Sequence, residues 1–253
     1  MKKENILFGI IGLLIGLIIG FVATNTINRN GYGQATTSAQ TTAPAANPQT
    51  GQPQFVPPQQ VPNQAVKEQP QRAAMPGVQQ AIDRARNEPE NFEAQIAAAE
   101  MYYRIQNFDE AAQYFERANK LQPENYDIIV KLGNIYYDKA ETAVRGGTDG
   151  TENFKISEKW YTAALTKKPD DVNVRTDLGL TFLLRQPPET DRAIKEFRTS
   201  LEKNPAHELT LQNLAAALQS KGDTAGLQET LIQLGKVNPQ NPALERFGSK
   251  VSQ

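Results

Sequence analysis

No cysteine occurs among the 253 residues, which excludes disulfides, thiolate chemistry and cysteine-ligated metals and suits an oxidising compartment. Histidine is nearly absent too. His207 stands alone, with no second histidine for a metal site and little scope for general-base catalysis. Neither sign of charge is in excess, since 27 Lys and Arg face 28 Asp and Glu, so the basic field that nucleic acid requires is missing. The chain carries no phosphate loop, nucleophile elbow or zinc pattern. Asp149 and Glu152 lack the alternating carboxylates of a calcium loop. Glu100, Asp109 and Glu110 are spaced like ordinary surface and helix-start charges. The expectation is a chain that is not an enzyme and needs no metal or cofactor.

One long apolar run is present. Ile6 to Ala23 holds 18 uncharged residues, near the minimum for a spanning helix, so residues 1–24 are expected to form a transmembrane signal-anchor. Lys2 and Lys3 precede it and Arg29 follows; this balance favours a cytoplasmic N-terminus, with the rest of the chain in the periplasm or outside the cell. A cleaved signal peptide would have a shorter apolar core and a cleaner small-residue site than Phe21-Val22-Ala23 offers. Gly12, Gly16 and Gly20 recur every four residues on one helix face, where they admit a second backbone, so either homo-oligomerisation through this helix or its packing on another membrane protein is expected. The plainer reading is that glycine is common in membrane helices.

Residues 25–74 are rich in Gln, Pro, Thr, Ala and Asn and poor in large apolar side chains. Such a stretch cannot bury enough surface to offset its ordering entropy, so a disordered linker is expected, with a reach of about 40 Å. Pro53, Pro57 and Pro58 read as spacer more readily than as a proline-rich ligand.

Beyond Met75 the pattern is helical and it repeats. Prolines that follow helical runs stand at 89, 123, 169, 205 and 239, spaced 34, 46, 36 and 34 residues apart. The residues keep the same phase. Ile129-x-x-Leu132-Gly133-x-x-Tyr136 is followed by Leu178-Gly179-x-x-Phe182 and, more weakly, by Leu214-Ala215-x-x-Leu218. In the second halves, Ala111-x-x-x-Phe115-x-x-Ala118 leads to Pro123, Tyr161-x-x-Ala164 to Pro169 and Ala193-x-x-x-Phe197-x-x-Ser200 to Pro205, with Ser157 where the pattern has Ala. On these residues the chain resembles the tetratricopeptide-repeat family, whose unit is a helix–turn–helix of 34 residues.

The fold class expected is all-α: a right-handed solenoid of antiparallel helix pairs over residues 75–253. A half-repeat, 75–89, opens it. Repeats at 91–123, 126–169, 172–205 and 208–239 follow, and a capping helix, 242–251, covers the last apolar face. Tyr102, Phe115 and Ala118 are expected in the core of the first repeat, and six leucines from Leu211 to Leu234 in that of the fourth. The second repeat exceeds the period by 12 residues, and Arg145–Asn153, with its glycines, is expected to form a loop. Gln186-Pro187-Pro188 falls between the helices of the third.

The resemblance implies a concave groove lined by first helices that binds a protein or peptide. Carried over by position, the groove residues are Tyr103 and Arg104; Lys131, Asn134 and Tyr137; Asn173, Asp177 and Leu180; and Gln212, Asn213 and Ala216. These types offer flat amphipathic area and adaptable donors, although any exposed helix face must also be polar. Lys131 and Asn134 resemble part of the set by which one subtype holds a terminal carboxylate, but Asp177 would repel that ligand. A membrane-anchored, non-catalytic scaffold is the leading expectation. Similar architecture occurs in helpers that present apocytochromes for haem attachment in c-type cytochrome maturation, and a structural protein that organises the envelope is the rival from another class.

Overall fold

The computed structural model describes residues 76–248. The anchor expected at 1–24 with Gly12, Gly16 and Gly20, the stretch 25–74 and residues 249–253 lie outside the described residues. Within them stand ten helices and no strand: α1 (Pro76–Asn87), α2 (Phe92–Arg104), α3 (Phe108–Leu121), α4 (Tyr126–Arg145), α5 (Thr151–Lys167), α6 (Val172–Leu183), α7 (Thr190–Lys203), α8 (Glu208–Lys221), α9 (Thr224–Val237) and α10 (Pro242–Gly248). None of these helices is long and apolar enough to cross a membrane. Short connections fold each helix back on the one before. Each packs on its chain neighbour, α6 also touches α8, and α10 covers both α8 and α9. The described helices thus run as a single helix, four pairs and a last short helix.

The phased prolines act locally. Proline disfavours helix in the residue before it and offers no N–H, so each second helix stops ahead of it. Two residues after each of the first three prolines, a short polar side chain starts the next helix. The Asn91 side chain accepts from the Ala94 amide at 3.1 Å, Asn125 from Ile128 at 3.3 Å and Asp171 from Val174 at 2.9 Å, each satisfying one orphan donor of a helix N-terminus. Inside the first repeat the chain reverses at Gln106, the one described non-glycine residue with positive φ (59°).

Small residues on first helices receive rings from second helices. A Cβ on Gly133 would stand 2.5 Å from the Tyr161 ring, and one on Gly179 would stand 2.5 Å from Phe197. Phe115, Ala118 and the six leucines from Leu211 to Leu234 are buried. Tyr102 is only half-buried and stacks on Tyr114, ring centroids 5.5 Å apart. Several polar residues in the core are bonded across helices. Ser157 donates to the Gly133 carbonyl at 2.9 Å and Ser200 to that of Val172 at 3.0 Å. The Gln95 amide donates to the carbonyls of Ala85 at 2.7 Å and Glu88 at 3.2 Å, tying the half-repeat to the first pair.

The extra length of the second repeat differs from expectation. The loop expected over Arg145–Asn153 is shorter at both ends, because α4 runs through Arg145 and α5 begins at Thr151. The insertion lengthens the helix pair to 20 and 17 residues, leaving only 146–150 as a turn. There Asp149 accepts from the Thr151 amide at 2.8 Å and so starts α5 early.

Candidate functional site

The first helices share a register. Leu132-Gly133, Leu178-Gly179 and Leu214-Ala215 hold equivalent places in α4, α6 and α8, so Lys131, Asp177 and Asn213 form one row along the array. Glu100, Asn134, Leu180 and Ala216 form the next, and Tyr103 and Tyr137 lie about one turn further on. The repeat phase therefore brings most of the predicted groove residues onto one face.

Their accessibility differs widely. Arg104 and Asn173 are exposed, while Tyr103, Lys131, Asn134 and Ala216 are half-buried. Tyr137, Asp177, Leu180, Gln212 and Asn213 are buried. Several of them join neighbouring helices. The Tyr103 hydroxyl donates to Asp138 of the next repeat, and Lys131 lies 3.7 Å from Glu100 of the previous one. Tyr161 donates to the Asn134 amide oxygen at 2.8 Å. Tyr137 packs edge-on against Phe154, centroids 5.5 Å apart, so its ring is core. Gln212 accepts a long contact, 3.4 Å, from Asn241.

Asn213 is the exception. Its side chain is fully buried, yet neither its amide oxygen nor its amide nitrogen has a hydrogen-bond partner among the described residues. Leaving such groups unmade costs about 1–3 kcal/mol each, so a native chain retains them only where something compensates.

Acid–base chemistry has little footing. Burial pushes the Tyr126 phenol well above its ordinary value, helped by its bond to Asp171; burial and Glu116 do the same to Tyr136. Both therefore remain neutral donors. His207, just before α8, stands with Nδ1 2.6 Å from the Thr210 hydroxyl, which meets Thr176 at 2.6 Å, and Thr176 meets Ser200 at 3.0 Å. Thr210, Thr176 and Ser200 are fully buried, so this chain of hydroxyls knits α6, α7 and α8 together and is closed to substrate. Among the described residues no group of three His, Asp or Glu is placed to hold a metal.

One charged cluster went unread in the sequence. Arg185, buried after α6, donates to Glu189 at 2.6 Å, to Glu158 and, at 3.3 Å, to the Phe154 carbonyl. Arg192 donates to Glu158 and Glu189, both at 2.6 Å, and lies over the Phe182 ring. Burial works to raise the Glu158 carboxyl, but the bonds from Arg185 and Arg192 outweigh it and hold the group below the usual carboxylate range.

Residues 92–135, spanning α2, α3 and half of α4, match the tetratricopeptide-repeat family model. That stretch is a tetratricopeptide repeat. The tetratricopeptide fold extends over the other pairs, as solved structures agree. The crystal structure of YrrB, a tetratricopeptide protein with an unusual peptide-binding site, is 18% identical with a TM-score of 0.53, covering 71% of this chain and 94% of that one. MamA from Desulfovibrio magneticus RS-1 is 14% identical with a TM-score of 0.55, covering 65% and 85%. PilF of Pseudomonas aeruginosa is 16% identical with a TM-score of 0.53, covering 68% and 72%. At these identities the likeness is one of fold. No curated protein matches the sequence.

Proposed function

We propose that this chain is a non-catalytic scaffold that binds an extended protein segment along its first helices. Asn213 carries the reading. Its unmade donor and acceptor match a peptide unit, which presents one N–H and one C=O and which reaches the covered amide only when the first-helix face opens to admit it. It shares a row with Lys131 and Asp177, and the partly open Tyr103, Asn134 and Asn173 extend the same face toward solvent. YrrB, of similar fold, has a peptide-binding site, which agrees. The apolar run at Ile6–Ala23 supports a further element of the proposal: the array is held at a cytoplasmic membrane, outside the cytoplasm.

The test pairs stability with capture. Replacing Asn213 by Leu removes the unmade polar groups at similar volume, so the melting temperature of the free protein should rise while recovery of partner by the full-length chain falls at least tenfold. Unchanged recovery would remove Asn213 from the site. A reporter fused to the C-terminus that proves active only in the cytoplasm would refute the compartment.

A further inference from the structure

The buried apolar residues do not form one core but two. One cluster contains twelve buried residues from α1 to α4; the other contains 25, from α4 to α10. The division runs along α4, which turns Ile128, Leu132 and Ile135 to the first cluster and Ile129, Tyr137 and Ala140 to the second. Trp160, the single tryptophan of the chain, packs from α5 against both.

The two clusters are unequal in kind as well as size. Seven of the twelve residues in the first are alanines, and a buried alanine removes far less apolar surface from water than leucine or phenylalanine. The second holds ten leucines and four phenylalanines among its 25, against six alanines. What joins α2 and α3 to α4 is otherwise largely polar: Tyr136 donates to Glu116 at 2.6 Å, Tyr103 to Asp138 and Lys139 to Asp109, and Lys131 lies 3.7 Å from Glu100. Partly solvated pairs of this kind hold weakly.

In a stack of repeats stability is set by each unit and by its contact with the next, so cooperativity breaks first at the poorest junction around the poorest unit. We infer that α1–α3 form a separately opening segment, which unfolds while α4–α10 stay folded, with Trp160 closing the seam. The seam crosses the first-helix face, with Tyr103 and Arg104 on one side and Lys131 and Asn134 on the other. Opening therefore divides that face.

Hydrogen exchange on the full-length chain in non-ionic detergent tests this, comparing the wild type with Gln113→Gly. Gln113 is exposed in the middle of α3, so the change lowers helix propensity without touching a core, an effect of about fivefold on an opening equilibrium. In the wild type the slowest amides of α3 should exchange at least tenfold faster than those of α6–α9. In the variant, exchange in α1–α3 should accelerate about fivefold while α6–α9 keep their rates. Equal slowest rates in the two segments, equal acceleration of both, or no acceleration in α1–α3 would overturn the inference.

Discussion

Gly133 and Tyr161 fit each other so closely that the glycine has no room for a side chain: an added Cβ would stand 2.5 Å from the ring. Tyr161 cannot swing away, since it is fully buried and its hydroxyl is bonded to Asn134. Gly133→Ala should therefore destabilise the array by about 1–3 kcal/mol through overpacking, despite the better helix propensity of alanine. Gly77, with nothing within 4 Å of the added atom, is the control; Gly77→Ala should be neutral or stabilising by up to about 1 kcal/mol. Urea denaturation of both variants checks the contrast, and a stabilised Gly133→Ala would show that the ring yields.

Ion pairs in this array should differ sharply in weight. Arg185 is 4% exposed and serves two carboxylates, so Arg185→Met should cost about 2–3 kcal/mol through its lost charged hydrogen bonds, Arg192 remaining as a cation for Glu158 and Glu189. Lys167 pairs with Glu124, a carboxylate 87% exposed, and Lys167→Ala should change stability by less than about 1 kcal/mol. Thermal melts at matched ionic strength distinguish the two, and equal shifts would contradict the ranking.

A third expectation concerns pH. Burial pushes the His207 imidazole below its ordinary value, against the opposing pull of the Asp171 carboxylate. A depressed histidine is neutral in the folded chain while the unfolded chain takes up the proton first. Its contribution is thus fully present above the unfolded value of about 6.5 and is lost as pH falls below it. Glu158 and Glu189, also depressed, weaken the fold only at more acidic pH, below the unfolded glutamate value of about 4.3. The melting temperature should therefore begin to drop just below pH 6.5, and His207→Gln should flatten that first step while leaving the second. An unaltered first step in the variant would assign it to other groups.

How far the sequence could be read depended on the range of the interaction. The prolines, the Asn91, Asn125 and Asp171 starts and the glycine–ring pairs act within one repeat, so the helix pairs were legible from spacing. In the segment Arg145–Asn153, Gly146, Gly147 and Gly150 do mark the turn, but its end was misleading because the polar residues Thr151 to Asn153 are equally able to begin a helix. Burial was hidden. The rows of the groove follow from register, but whether Asn213 or Tyr137 is covered depends on neighbours many residues away. Arg185 is linked to a glutamate 27 residues earlier, a pairing that no local pattern announces.

The most direct test of the scaffold reading is photocrosslinking in cells, with a benzoylphenylalanine placed at Asn173 on the first-helix face or at Lys195 on the exposed side of α7. The account predicts a discrete heavier species from Asn173 that is absent from Lys195 and is lost when Asn213 is also changed to Leu. The same species from both positions, or none from Asn173, would contradict it.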